Sequence, residues 1–335
     1  MTQYFRPLIQ HGPCPIEGVP LCDGPLWFQK CEVLERVDTQ ARFCAAREVD
    51  PGVLARLTAK RAAISGLSWD QPRLMGILNV TPDSFSDGGL FEAPEAALAQ
   101  AQAMAEAGAD ILDIGGESTR PGASYVEIED EIARTAPVIE ALAQPGQVPI
   151  SIDTRKADVA RAALEAGAAW INDVSALQFD PKMGALAVQS SVPVCLMHAQ
   201  GAPETMQNDP QYADVLLDVY DALEGYVAQA EALGIDRAQI IVDPGIGFGK
   251  TLEHNLALLR GLSLFHGLGA LVLLGASRKR FIGTIGQADV AAKRMPGSVA
   301  VALAGAAQGV QLFRVHDIAE TKQALRLWEA LHLAG

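Results

Sequence analysis

The sequence has no long apolar run. Its longest uncharged apolar stretches, 271–276 and 299–307, fall far short of the roughly 20 residues that a membrane helix needs. The opening segment MTQYFRPLIQHGPCP lacks a basic patch followed by a continuous apolar stretch, so it does not read as a signal peptide. Positive charge is also scarce: 26 Lys and Arg stand against 40 Asp and Glu, a formal net charge of −14. Such a field repels phosphate, which argues against non-specific binding to nucleic acid or to an anionic membrane. An anionic ligand would need a local cluster of cations. No two of the five cysteines have the C-x-x-C spacing of zinc or redox sites. Gly 31 and Pro 19 are close to ordinary usage, which excludes a collagen-like or low-complexity chain. The expectation is a cytoplasmic protein with reduced thiols. Cys14, Cys22, Cys31 and Cys44 lie close together in the sequence with His11, so a metal site there remains an alternative to scattered thiols.

What remains is ordinary globular composition, 49% hydrophobic and 20% charged over 335 residues. A chain of that size buries about three quarters of its unfolded surface. Two regions differ. Residues 1–72 are rich in Pro and Cys with little clear period; 26–37 reads as a strand or two and 51–65 as a short helix. Residues 73–335 alternate regularly and are close in length to the roughly 250 residues of one α/β barrel. Apolar runs at 74–78, 111–114, 149–152, 169–171, 192–197, 240–242, 271–274 and 310–315 read as strands. Ala-, Leu- and Glu-rich patterns at 94–107, 128–143, 157–166, 212–233 and 318–331 read as helices. Strand–helix alternation implies a parallel sheet, and runs apolar on both faces imply strands covered by helices. Eight units predict a (β/α)8 TIM barrel with an N-terminal extension; a doubly wound open sheet is the alternative.

The strand ends favour the barrel. They carry Asn79, Asp113, Asp153, Asn172 with Asp173, His198, Asp243, Ser277 with Arg278, and Arg314 with His316. Barrel enzymes build their sites at that face. Arg278, Lys279 and Arg280 after the seventh strand, with Arg314 and His316 after the eighth, would form a phosphate site where barrels often have one. Arg314 can grip a phosphate bidentately. Asp153, Asp243 and Asn172 would point into one mouth, where buried carboxylates need donors such as the N–H edge of a guanidine-like heterocycle. The opposing reading makes the two carboxylates helix caps or partners of Lys279. The loops 79–89 and 115–122 are long, polar and Gly-containing, and are candidate lids. Asn79 and Asp83 could give oxygen ligands to a Mg2+ that bridges a diphosphate. The segment GIGFGKT at 245–251 imitates a phosphate-binding P-loop, but Pro244 stands where the motif needs its first glycine.

The segments LMGILNVTPDSFSDGG (74–89) and DIGGESTRPGA (113–123) resemble the two signatures of the dihydropteroate synthase family of pterin-binding enzymes. SIDT (151–154), INDV (171–174), DPGIGFGK (243–250), SRK (277–279) and RVH (314–316) resemble its later blocks, in order. The resemblance runs from 74 to about 330 and leaves the first 70 or so residues outside. It implies a homodimeric TIM-barrel transferase, a sulfonamide target in folate biosynthesis. The implied reaction joins dihydropterin-methyl diphosphate to 4-aminobenzoate, giving dihydropteroate and diphosphate. Carried over, Asp113, Asp153, Asn172, Asp243 and Lys279 would line the pterin pocket, with Phe248 and Gly275 beside it. Asn79, Arg314 and His316 would hold the diphosphate, with Mg2+ on Asn79 and Asp83. Thr119, Arg120, Pro121 and Phe85 would close over 4-aminobenzoate. Lys279, Arg314, His316 and Asp153 are the residues expected to carry catalysis. Many relatives have Ser where this chain has Arg280, and His-Met-Gln where it has His198-Ala199-Gln200. The first departure leaves open whether a backbone N–H or the guanidinium of Arg280 meets the aminobenzoate carboxylate. A pterin-dependent methyltransferase barrel and a non-catalytic pterin-binding paralogue remain as alternatives.

Overall fold

Short strands and one helix precede the regular part of the chain: β1 (Tyr4–Pro7), β2 (Val19–Pro20), β3 (Trp27–Phe28), β4 (Lys30–Leu34), β5 (Arg42–Ala45) and α1 (Pro51–Thr58). The computed structural model describes residues 2–37, 40–81, 93–118, 123–201 and 205–333. The two strands read at 26–37 are β3 and β4; the helix read at 51–65 stops at Thr58. Asp50 caps α1 by accepting from the Gly52 and Val53 N–H groups, with Pro51 pre-set at its first turn. β1, β4 and β5 make one antiparallel sheet, β2 and β3 another.

The regular part runs β6 (Arg73–Asn79), α2 (Ala93–Glu106), β7 (Ile111–Gly115), α3 (Ile128–Leu142), β8 (Ile150–Asp153), α4 (Ala157–Glu165), β9 (Trp170–Asp173), α5 (Met183–Ser190) and β10 (Val194–Met197). It continues with α6 (Val215–Leu233), β11 (Ile240–Asp243), α7 (Leu252–Arg260), β12 (Leu271–Leu274), α8 (Arg280–Gly286), α9 (Met295–Ala306), β13 (Leu312–Val315) and α10 (Ile318–His332). β6 to β13 form a closed parallel barrel in chain order, β13 pairing with β6. This is the (β/α)8 barrel that the alternation implied, not the open sheet.

The strands divide their side chains between two cores. Leu112, Ile114, Ile171, Val194, Ile240, Val242, Val272 and Phe313 face outward and pack under the helices. Met75, Ile111, Trp170, Cys195, Ile241, Leu271, Leu273 and Leu312 form a separate interior cluster. The period of two along each strand produces this split.

The N-terminal segment closes the bottom of that interior. Ile64 belongs to the inner cluster, and Leu67 and Trp69 pack against it. Trp170 Nε1 donates to Ser65 Oγ at 2.7 Å, and the Trp69 and Trp170 rings meet edge-on at 6.4 Å. The β1 sheet lies against the α6–α7 side. Tyr4 Oη donates to Asp221, Ser263 Oγ donates to Pro7 O, and Arg36 pairs with Asp218 and Asp221. The cysteines do not gather: Cys31 and Cys44 face each other across β4 and β5, Cys22 lies beside Gln311, and Cys14 is exposed. His11 packs on Trp328 and His332 instead. Among the described residues no helix is long and apolar enough to cross a membrane.

Candidate active site

The barrel interior changes from apolar to polar within one step of the strand repeat. Ile111, Trp170, Ile241 and Leu312 point inward, so Asp113, Asn172, Asp243 and Arg314, two residues on, point the same way nearer the C-terminal mouth. Ser151 and Asp153 repeat the pattern on β8. The result is a floor of buried amide, carboxylate and guanidinium groups above an apolar plug.

Arg314 ties that floor together. Its Nε donates to Asp113 Oδ2 at 2.6 Å and one terminal nitrogen donates to Asp153 Oδ2 at 2.6 Å. Asn172 Nδ2 also donates to Asp113 Oδ2, at 3.0 Å. Asp113 is fully buried and Asp153 nearly so. Even so, Oδ1 of Asp113 and Oδ1 of Asp153 are buried without a partner among the described residues. An unsatisfied buried carboxylate oxygen costs about 1–3 kcal/mol or more, so this floor is incomplete without a ligand that brings N–H donors.

Burial pushes the Asp153 carboxyl up to about 7; Arg314 opposes the rise and the Asp113 charge adds to it. Asp243 is also raised, by burial first, against the pull of Lys279 and the Gly245 N–H. That N–H donates to Asp243 Oδ1 at 2.7 Å. Gly275 lies beside the other oxygen: a Cβ there would sit 3.2 Å from Asp243 Oδ2 and 3.9 Å from Arg314 Cβ. A side chain at 275 would fill the floor.

The loop after β11 forms one wall. Gly245 and Gly249 have φ of +68° and +61°, and a Cβ on either would overlap the His198 or Gln200 carbonyl oxygen. Only glycine lets the loop lie this close to the β10 end. On the loop's other face, Lys279 Nζ donates to Ile246 O and stands 4.2 Å over the Phe248 ring. His316 is set by Ser277, whose Oγ accepts from the His316 N–H and lies 2.9 Å from Nδ1.

The structure thus brings Asp113, Asp153, Asn172, Asp243, Gly275, Lys279, Phe248 and Arg314 to the C-terminal mouth, with His316 on the adjoining loop and Asn79 at the end of β6. Asp83, Phe85, Thr119, Arg120 and Pro121 lie outside the described residues. The cation cluster read after β12 is split: Arg278 has φ +57° and pairs with Asp317, while Arg280 is exposed at the start of α8. Asp243 and Asp153 do not cap helices. Among the described residues no group of three or more His, Cys, Asp or Glu side chains could hold a metal ion. Asn79 is a single neutral amide, a donor that suits a hard cation keeping its waters and taking further oxygens from a diphosphate.

Two buried networks escaped the sequence reading. Lys156 Nζ donates to Glu117, Glu131 and Val126 O, and Arg155 pairs with Glu117. Lys250 Nζ lies 3.0 Å from His198 Nδ1. Neither has a local spacing signal, because each partner sits on a different βα unit.

The pterin binding enzyme family matches residues 75–316. The dihydropteroate synthase of Escherichia coli strain K12 is 46% identical over 266 residues, covering 79% of this chain and 94% of the relative. The Xanthomonas albilineans dihydropteroate synthase solved with 4-aminobenzoic acid superposes with a TM-score of 0.76 at 47% identity, covering 80% of this chain and 96% of that one. The Yersinia pestis dihydropteroate synthase solved with a sulfonamide drug also has a TM-score of 0.76, at 45% identity, covering 81% and 98%. A match of this length and identity, on the same barrel, leaves one conclusion: the chain belongs to the dihydropteroate synthase family of pterin-binding enzymes.

Proposed function

We propose that this chain condenses dihydropterin-methyl diphosphate with 4-aminobenzoate, releasing dihydropteroate and diphosphate. The observation that carries this reading is the pair of orphaned carboxylate oxygens on Asp113 and Asp153 beside Asn172 and Asp243. Together they suit the N–H-rich edge of a pterin.

In this reading Asp113, Asp153, Asn172 and Asp243 hold the heterocycle, with Lys279, Phe248 and Gly275 along one side. Arg314 does double duty. Two of its nitrogens hold the carboxylates in place, and Nη1 remains for the leaving diphosphate, with His316 beside it. As the C–O bond breaks, charge grows on the diphosphate, where Arg314 and His316 stabilise it. Positive charge grows on the pterin methylene carbon, and the nearby carboxylates stabilise that. The arylamine nitrogen forms the new C–N bond and gives its proton to the medium. It is a weak nucleophile, so orientation supplies much of the rate. The family resemblance assigns Thr119, Arg120, Pro121 and Phe85 to 4-aminobenzoate, and keeping water from the cation-like carbon would protect the reaction. No enzyme nucleophile is needed. Mg2+, held by Asn79 and Asp83 and by the substrate, would neutralise diphosphate charge when bound.

Residues 1–72 act as an extension that seals the barrel base, and residues 73–335 as the catalytic domain. The protein works in the cytoplasm as a homodimer, on small molecules rather than nucleic acid or membrane. The test is direct. Purified protein with both substrates and Mg2+ should release diphosphate only when 4-aminobenzoate is present, and a sulfonamide should compete with it. Tight pterin binding without turnover would sink the synthase reading and favour the non-catalytic one.

A further inference from the structure

The imitation P-loop at 245–251 does not hold phosphate, because its lysine points the other way. Lys250 is buried, and its Nζ lies 3.0 Å from His198 Nδ1, 3.3 Å from His198 O and 3.0 Å from Phe248 O. It pins the glycine loop onto the end of β10. The loop's far face carries the Ile246 carbonyl and the Phe248 ring that seat Lys279. We propose that Lys250 is a positioning residue for the synthase reaction: its ammonium form staples the loop and so sets Lys279 against the pterin pocket, and loss of its proton relaxes that seat. This rests on the activity proposed above.

The proton count gives the reason. An ammonium has three N–H donors for the three acceptors around Nζ; a neutral amine has two, so one bond is lost. His198 stays neutral, since burial and then Lys250 hold it down at about 3, and in its Nε2–H tautomer Nδ1 accepts from the ammonium. Burial, with Lys279 beside it, pulls Lys250 down to about 7, while Asp243 pushes back. Among the described residues the groups facing this nook are few: Asp243 at the end of β11, His198 after β10, and Lys279 just before α8. Tyr212, ahead of α6, donates to Gly249 O, and His254 of α7 packs on the Tyr212 ring at 4.9 Å. Asp218 of α6 acts on His198 and Tyr212 from further away. Among the described residues no carboxylate bonds Nζ, so no ion pair there fixes its charge across the neutral range.

The experiment compares wild type with Lys250→Arg, Lys250→Met and Tyr212→Phe. Measured against Lys250→Arg at the same pH, so that the Asp153 titration common to both cancels, the wild-type KM for the pterin diphosphate should rise about threefold or more between about pH 6 and pH 8.5, with kcat changing far less. Lys250→Arg, which does not titrate, should match the wild-type KM at low pH and show the Asp153 dependence alone. Lys250→Met should have a KM raised over that of Lys250→Arg by a constant factor at every pH, and Lys250→Arg should restore what Met loses. Tyr212→Phe removes an uncharged bond to the same loop and should keep the wild-type slope. Asp153 titrates in the same range in every variant, so the differences between variants isolate Lys250. Hydrogen exchange of residues 244–250 in the ligand-free protein, corrected for intrinsic rates, should speed up with pH in wild type and not in Lys250→Arg. That measurement needs no turnover, so an inactive protein would overturn the activity reading and still test this one. A Lys250→Arg variant that slopes like wild type in both KM and exchange would overturn the proposal. So would a Lys250→Met variant that loses kcat and not KM.

Discussion

Arg314 Nε donates to Asp113 Oδ2 at 2.6 Å, joining the start of the second signature, on β7, to the last strand of the barrel, 201 residues away. The bond links the two kinds of group that the sequence suggested separately, carboxylates for a heterocycle and cations for a diphosphate. In the proposed reaction one guanidinium would serve both. Its other bond, to Asp153, puts two buried carboxylates within reach of one positive charge. Breaking such a group from one side leaves an uncompensated charge, which typically costs about 3–5 kcal/mol.

Arg314→Ala therefore removes more than a diphosphate grip. It should lower kcat/KM by about a hundredfold or more. Diphosphate binding should weaken most, and a phosphate-free pterin should lose some affinity because Asp113 and Asp153 then repel. Asp243→Ala should abolish pterin binding while leaving diphosphate binding near wild type. Titration calorimetry with the two ligands separately distinguishes these outcomes. Equal losses of both ligands in both variants would refute the division of the site.

Asp153 gives the site a pH dependence. Its pKa of about 7 lies above the ordinary value of 3.8, so the folded, empty protein holds a proton that the unfolded chain releases. The resulting stability penalty is absent below about 3.8, grows as pH rises and is complete above about 7. Pterin N–H groups prefer the ionised form, so binding below that point must expel the proton. Pterin affinity should then fall by up to about tenfold per unit as pH drops below about 7, with proton release visible as buffer-dependent heat. Asp153→Asn should remove that heat. Proton uptake on binding would contradict the assignment.

The fold was legible because the barrel writes itself twice into the sequence. Apolar runs such as 271–274 fill both faces of a covered strand, and the polar residue at each strand end marks the mouth. Asp113, Asn172, Asp243 and Arg314 were found by that rule alone. The rule could not say which cations share the mouth: Arg278 and Arg314 follow adjacent strands, yet the positive φ at 278 turns one toward Asp317. Nor could it find Glu117, Glu131 and Lys156, which meet only once two βα units have packed. The extension was opaque for a different reason. Ile64, Leu67 and Trp69 have no period of their own, and their partners lie inside a barrel that must form first.

Gly245 and Gly286 separate strain from propensity. A Cβ at 245 would overlap the His198 carbonyl oxygen, at a φ of +68°. Gly245→Ala should destabilise the protein by about 2–4 kcal/mol and raise the KM for the pterin substrate, because the loop that seats Lys279 must lift. Gly286, in α8, has nothing within 4 Å of its would-be Cβ. Gly286→Ala should be neutral or stabilise by up to about 1 kcal/mol. Chemical denaturation of both variants checks the contrast; a tolerated Gly245→Ala would mean that the loop does not lie this tightly on β10.

The extension should matter to stability and not to chemistry. Trp69 covers Trp170 and donates from Nε1 to Ala62 O, and Ile64 is nearly fully buried in the inner cluster. Ile64→Ala should cost about 2–5 kcal/mol through lost burial and a cavity at the barrel base. The inner cluster also holds Met75, Cys195 and Leu273, apolar side chains between Ile64 and the polar floor. The variant should accordingly keep its KM for both substrates and its kcat within about twofold at a temperature where it is folded. Melting temperature and steady-state kinetics on one preparation read both quantities. A variant with normal stability would show that the plug is not what closes the base. One with normal folding but a raised KM would show that the base and the mouth are coupled through the column.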